Sequence, residues 1–162
     1  MAGIPIHESA VLPEWIDYNG HLRDAYYGLI FSESIDSLMD RVGLDATYRA
    51  RTGGTLYTLE MHLHFLREVK LGETVRVALR ILAADVKRIH AALELRRAGD
   101  SAVAAAAEVM LLHVCQRDGA VRTAPFPPEV SAAIGALQQE SAALSADAPA
   151  SRRMELTVKP AA

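Results

Sequence analysis

The chain has a single cysteine, Cys115, in 162 residues. An intramolecular disulfide framework and any multi-cysteine metal centre are therefore excluded, and a reducing compartment suits the sequence. Basic charge is not in excess, since 17 Lys and Arg stand against 20 Asp and Glu. With a pI near 6.1, the chain lacks the positive field that a nucleic-acid backbone requires, and no such partner is expected. Long apolar runs are missing too. The alanine-rich stretch 102–114 is broken by Glu108 and His113, short of the roughly 18 to 20 apolar residues of a bilayer span. The amino terminus carries neither the basic segment nor the apolar run of an export signal. We expect a cytoplasmic protein with no membrane partner. Aromatic residues are scarce at 6%, so any cluster of them stands out.

What is present is the balance of a packed domain, with 51% hydrophobic and 23% charged residues in a length suited to one core. A single domain over 1–144 is expected, followed by a low-complexity tail, 145–162, dominated by Ala, Ser and Pro. Between Asp24, a candidate N-cap, and Gly43, a candidate stop, the residues Tyr27, Ile30, Phe31, Ser34, Leu38 and Val42 recur at spacings of three and four, with Ile35 and Leu29 widening the stripe. That is one buried face of a long helix. After Thr52-Gly53-Gly54 the period becomes two. Leu59, Met61, Leu63 and Phe65 alternate with Thr58, Glu60, His62 and His64, which predicts a strand with one buried face. Further strands follow around 75–81, 88–97 and 102–116, and an early one spans 7–12. The order β, α, then four strands predicts an α+β fold, a helix across an antiparallel sheet of about five strands in which the last four are consecutive neighbours. A short helix is expected over 129–144.

The densest group of reactive side chains is Trp15-Ile-Asp-Tyr-Asn-Gly-His-Leu-Arg-Asp-Ala-Tyr-Tyr27, between the first strand and the helix. A carboxylate here lies beside the free amides and positive dipole end of a helix N-terminus. Asp17 can attack or activate water while those amides polarise a carbonyl, the two halves of acyl transfer. It can equally cap a turn with Asn19 before Gly20. Glu60, His62 and His64 share one strand face, but the sequence offers no further metal ligand, and a polar strand row accounts for them. No metal is called.

Asp17-x-x-Gly20-His21-Leu22, a polar pair and Tyr26-Tyr27 resemble the Asp-x-x-Gly-His-hydrophobic-Asn-Asn-x-x-Tyr signature of hotdog-fold acyl-CoA thioesterases related to 4-hydroxybenzoyl-CoA thioesterase. The resemblance runs from about Val11 to Cys115. It implies a long helix wrapped by a curved sheet, pairing of subunits into a homodimer or homotetramer, an acyl-CoA cleft at their interface, and Asp17 as catalytic carboxylate. The amides near Arg23 and Asp24 would polarise the thioester, although Arg23-Asp24 stands where the family usually has Asn-Asn. Coenzyme A enters as part of the substrate, and no other cofactor is implied. The run Trp15 to Tyr27, with 60–65, 87–90 and 124–127, is similar to the betainyl-CoA thioesterase branch associated with L-carnitine dehydrogenase. That branch makes glycine betaine, whose trimethylammonium group is bound by aromatic faces. Trp15, Tyr26, Tyr27, Tyr57 and Phe65 are the candidates, with Asn19, His21 and His62 as polar neighbours of the substrate. Glu33 is a second candidate base, and Lys87, Arg88 and His90 are candidates for the CoA phosphates. A hotdog enoyl-CoA hydratase and a non-catalytic acyl-CoA binder are the alternatives.

Overall fold

The apolar stripe expected between residues 24 and 42 forms α1, Asp24–Arg41, and buries Tyr27, Ile30, Phe31, Ser34, Ile35, Leu38 and Met39. The computed structural model describes residues 3–144 apart from 118, so the tail 145–162 lies outside the described residues. Ile30, Phe31 and Leu38 are fully enclosed. Each such side chain contributes about 1.5 to 3 kcal/mol when removed from water. Leu29, in contrast, is 40% exposed and does not widen the buried stripe. The helix begins one residue earlier than expected. Arg23 is its N-cap, with no side-chain cap, and the Asp24 carboxylate accepts from the Ala25 amide at 2.8 Å.

The strands are β1 (Ile4–Ala10), β2 (Gly54–Phe65), β3 (Thr74–Ala84), β4 (Arg88–Arg97), β5 (Val103–Arg117) and β6 (Ala120–Thr123). They form one antiparallel sheet in the order β1-β3-β4-β5-β2, with β6 folded back on β5. Two corrections follow. The sheet has six strands, because the chain after β5 turns and pairs again, Val114 opposite Thr123 and Arg117 opposite Ala120. And β2 is not the neighbour of β3: the segment 66–73 is too long for a tight hairpin and carries the chain to the other edge of the sheet, leaving β2 against β5. The two edge strands, β1 and β2, both touch α1. A sheet whose opposite edges reach the same helix must curve around it, which is the hotdog arrangement.

The inward row Val75, Val77, Leu79 and Ile81 on β3, with Ile89, Ala91, Leu93 and Leu95 on β4 and Ala105, Ala107, Val109 and Leu111 on β5, is buried. On β2 the register shifts between Thr58 and Glu60. A bulge there changes which alternate residues face inward, so Leu56 before it and Met61 and Leu63 after it join the core. Leu59 and Phe65 remain 52% and 53% exposed, and Tyr57 44%. The expected buried face of this strand is therefore only partly buried within one chain.

Two helices complete the fold. The first, α2 (Ala46–Thr52), is absent from the sequence reading. Asp45 caps it by accepting from the Tyr48 amide at 2.8 Å, and Gly53 closes it with φ 70°. Tyr48 then reaches the buried His113, with its hydroxyl 3.0 Å from Nε2, while Nδ1 lies 2.9 Å from the Ala124 carbonyl. A carbonyl only accepts, so Nδ1 carries a proton, and a neutral ring takes the tyrosine proton at Nε2. The second, α3 (Pro128–Leu144), buries Val130, Ile134, Leu137 and Ser141 against β3 and the start of β1. It begins one residue before the expected span 129–144 and ends where expected. No helix among the described residues is long and apolar enough to cross a membrane.

Gly54 passes under the Tyr48 ring, where an added Cβ would sit 2.5 Å from Cε1 and 2.7 Å from the hydroxyl oxygen. Gly54→Ala should therefore destabilise the protein by about 1 to 3 kcal/mol through overpacking. Thermal unfolding should show a midpoint lower by roughly 2 to 10 °C, and an unchanged midpoint would show that Tyr48 moves freely.

Candidate active site

Between the turn Pro13–Trp15 and α1 the backbone folds back on itself. The Asp17 amide donates to the His21 carbonyl at 2.8 Å, and the Gly20 amide to the Asp17 carbonyl at 3.1 Å. The Asp17 carboxylate closes this turn from inside. Its Oδ1 accepts from the Asn19 amide at 2.8 Å and from the His21 amide at 3.1 Å. Oδ2 has a 3.5 Å contact with Asn19 Nδ2. The His21 amide, opposed by some desolvation and aided by the Asn19 donors, holds this carboxyl below the usual aspartate range. The capping reading is thus correct for one oxygen, and the other is left weakly engaged.

A second strand of chain pins the turn in place. Leu22 donates its amide to the Val69 carbonyl at 2.7 Å, His21 forms a β-bridge with Lys70, and His21 Nε2 lies 3.0 Å from the Glu68 carboxylate. The Arg23 amide donates to the Trp15 carbonyl at 2.9 Å. This overturns Arg23 as a carbonyl-polarising donor, because its N–H is already spent. The Ala25 amide is taken by the Asp24 carboxylate and the Tyr26 amide by the Arg23 carbonyl. The Asp24 amide, at the positive end of α1, has no hydrogen-bond partner among the described residues, which leaves it open to a carbonyl.

The turn, the start of α1 and the end of β2 enclose a cleft of about 620 Å³, lined by Asp17, Tyr18, His21, Leu22, Arg23, Asp24, Tyr27, Phe65, Leu66, Arg67 and Glu68. That volume is in the range of small-ligand sites. Asp17, His21, Arg23, Asp24 and Tyr27 were legible in the sequence, and they converge here. Leu66, Arg67 and Glu68 were missed. They follow β2 with no motif of their own, and only the bridge to residues 21–22 brings them in.

Other candidates lie elsewhere. Trp15 is buried and stacks on Tyr26, with centroids 5.5 Å apart and planes 18° from parallel; neither lines the cleft, so an aromatic cage built on them is not formed. Asn19 is exposed at the tip of the turn and serves Asp17. Tyr57 is exposed on β2, outside the cleft. His62 lines a separate pocket of about 60 Å³ with Glu60, His90 and Glu108, on the sheet face opposite the core, and so it is not a neighbour of the Asp17 carboxylate. His90 lies 2.6 Å from Glu108, yet among the described residues no three such side chains are set to hold a metal. Arg88 is paired with Asp85 at 2.6 Å, and this partner lowers the Asp85 pKa to about 2. Lys87, Arg88 and His90 sit where β3 turns into β4, and none of them lines the cleft. Within one chain they do not join the site. Glu33, nine residues after Asp24, falls about half a turn round the helix and lies 3.4 Å from His7 of β1, outside the cleft.

A model of the thioesterase-like superfamily matches residues 11–134. The chain belongs to this family. It is 49% identical over 138 residues, 85% of this chain and 86% of the relative, to a betainyl-CoA thioesterase of Pseudomonas aeruginosa. It is 35% identical over 147 residues to an L-carnitine dehydrogenase/betainyl-CoA thioesterase of Rhizobium meliloti, spanning 91% of this chain and 29% of that longer protein. Among solved structures, a Pseudomonas putida protein classed with the thioesterases superposes with a TM-score of 0.85 at 41% identity, covering 98% of this chain and 99% of that one. A Staphylococcus aureus protein solved in complex with CoA superposes at 0.80 with 29% identity, covering 98% of this chain and 97% of that one. The protein is a hotdog thioester hydrolase, and the hydratase and non-catalytic alternatives give way to this assignment.

If the reaction depends on the ionised Asp17, the depressed pKa has a direct kinetic signature. Lowering the pH from neutrality leaves the carboxylate charged until the ordinary aspartate range has been passed, so the acid limb of log kcat/KM should fall below that range. A limb near neutral pH would assign the step to another group.

Proposed function

We propose that the chain hydrolyses betainyl-CoA to glycine betaine and CoA, with Asp17 as the reacting carboxylate. The observation that carries the mechanism is the division of labour within Asp17: Oδ1 is held by two backbone amides, and Oδ2 is left to act in a cleft that also contains the start of α1. The identity to the betainyl-CoA thioesterase over most of both chains supports the substrate. Relatives in which the same region is joined to an L-carnitine dehydrogenase support a place in carnitine breakdown.

With the thioester carbonyl against the Asp24 amide, two routes use the same atoms. Oδ2 adds to the carbonyl carbon and forms a mixed anhydride that water then cleaves, or it takes a proton from a water molecule that adds in its place. In both, negative charge collects on the carbonyl oxygen beside a helix N-terminus, and the CoA thiolate leaves. The carboxylate and one amide supply both halves of the reaction, so no metal or redox cofactor is needed. The lone Cys115 fits a cytoplasmic setting.

The working unit in this reading is at least a homodimer. The edge strand β2 leaves Tyr57, Leu59 and Phe65 about half exposed, an apolar unpaired edge that folded proteins normally cover. Phe65 also belongs to the cleft, which would place the site against a second copy. Light scattering should give a mass of at least twice 17.5 kDa, and a stable active monomer would remove the shared cleft.

The function is tested by thiol release across a panel of acyl-CoAs that includes betainyl-CoA, where betainyl-CoA should have the highest kcat/KM. Asp17→Asn keeps the shape of the turn and removes the charge. It should lower kcat by about 10² to 10⁴-fold with little loss of stability. Activity within threefold of the wild type would dismiss Asp17.

A further inference from the structure

We propose that the quaternary ammonium head of the substrate is seated in the corner between Tyr27 and Phe65, and that Phe65 is a specificity-determining residue. The inference rests on the betainyl-CoA reading above and adds where the cation goes.

A trimethylammonium group has no N–H to donate and no lone pair to accept with, so hydrogen bonds cannot select it. It is selected by the negative faces of aromatic rings. Of the aromatic side chains that the sequence offers, Trp15 and Tyr26 stack on each other, and neither they nor Tyr57 line the cleft; Tyr18 lines it but is 95% exposed at the turn, with no second ring beside it among the described residues to form a corner. Tyr27 and Phe65 both line it. Their rings meet edge to face, with centroids 5.3 Å apart and planes at 75°. The two nearly perpendicular rings make an angle that opens on the cleft, where a compact cation would lie mainly against the exposed Phe65 ring, with Tyr27 as the buried wall behind it.

The two walls come from different elements, and each is held. Tyr27 is on the first turns of α1 and is 4% exposed; since it lines the cleft, the little surface it shows is turned into that space. Burial raises its pKa, with the Val69 backbone acting the other way, so at neutral pH the ring is an uncharged phenol. Phe65 ends β2 and is 53% exposed. That exposure is the value within one chain, and in the shared cleft proposed above the ring would stand between the ligand and the second copy. Asp17, Asp24 and Glu68 line the same cleft, so carboxylate charge stands close to the corner. The arrangement also fits the reaction geometry. Betaine is a short acid, with one methylene between the nitrogen and the thioester carbonyl, so the cation site must lie in the same cleft as the Asp17 carboxylate and the Asp24 amide.

The test compares betainyl-CoA with 3,3-dimethylbutyryl-CoA, which has carbon in place of the quaternary nitrogen. The wild-type dimer should favour the cation by about 5- to 30-fold in kcat/KM. Phe65→Leu should bring that ratio to within about twofold of one, the ratio of the two kcat/KM values being the readout whatever their absolute level. Phe65→Trp should restore the preference. If the wild type prefers the cation and Phe65→Leu keeps that preference, the corner is wrong and the substrate reading stands. If the wild type shows no preference, both fall.

Discussion

The structure depends on the burial of one face of α1 against a sheet that must curve to cover it. Ile30, Phe31 and Leu38 have no exposed surface, and no flat sheet could reach the helix from both β1 and β2. This constraint explains the chain's path. The helix separates the two edge strands, β2 is delivered to the side opposite β1, and the segment after it must travel back to start β3. That return segment crosses the N-terminus of α1, and residues 66–70 become the wall that holds the Asp17 turn.

The site is therefore built from three pieces of chain that no local rule would join. The turn supplies the carboxylate, α1 supplies an amide at its positive end, and the end of β2 supplies an aromatic wall and the Glu68 contact to His21. The electrostatics are set by backbone groups. Two amides on Oδ1 favour the ionised form of Asp17 and also weaken it as a base, so in the proposed mechanism reactivity would come from the position of Oδ2 and from stabilisation of the developing oxyanion. The commitment of the Arg23 amide to Trp15 fixes the entry into α1 and takes that amide out of the candidate site.

Charge on the outer sheet face is handled by pairing. Arg88 with Asp85, Arg96 with Glu94 and His90 with Glu108 each satisfy a neighbour. A basic pair that looked suited to phosphates, Lys87-Arg88, is for this reason a turn whose arginine is already spent, and His62, which looked like a neighbour of the substrate, belongs to this polar face. Sequence spacing shows which residue types are close along the chain. It does not show which of them have found partners.

Periodicity by itself determined α1, the strands β3, β4 and β5 to within a few residues and the α+β class, because amphipathic patterns and turn residues act over short distances, while the cluster of reactive side chains marked the Asp17-to-Tyr27 segment as the candidate site. It also left both roles of Asp17 in view, and the molecule uses one oxygen for the turn. Only the tertiary structure decided that β2 pairs with β5 and that Trp15 and Tyr26 spend their faces on each other. Only it decided that Tyr27 meets Phe65 and that Leu66, Arg67 and Glu68 line the cleft. These follow from contacts between residues distant in sequence, created when the sheet closes around α1, and no pattern along the chain encodes them one residue at a time.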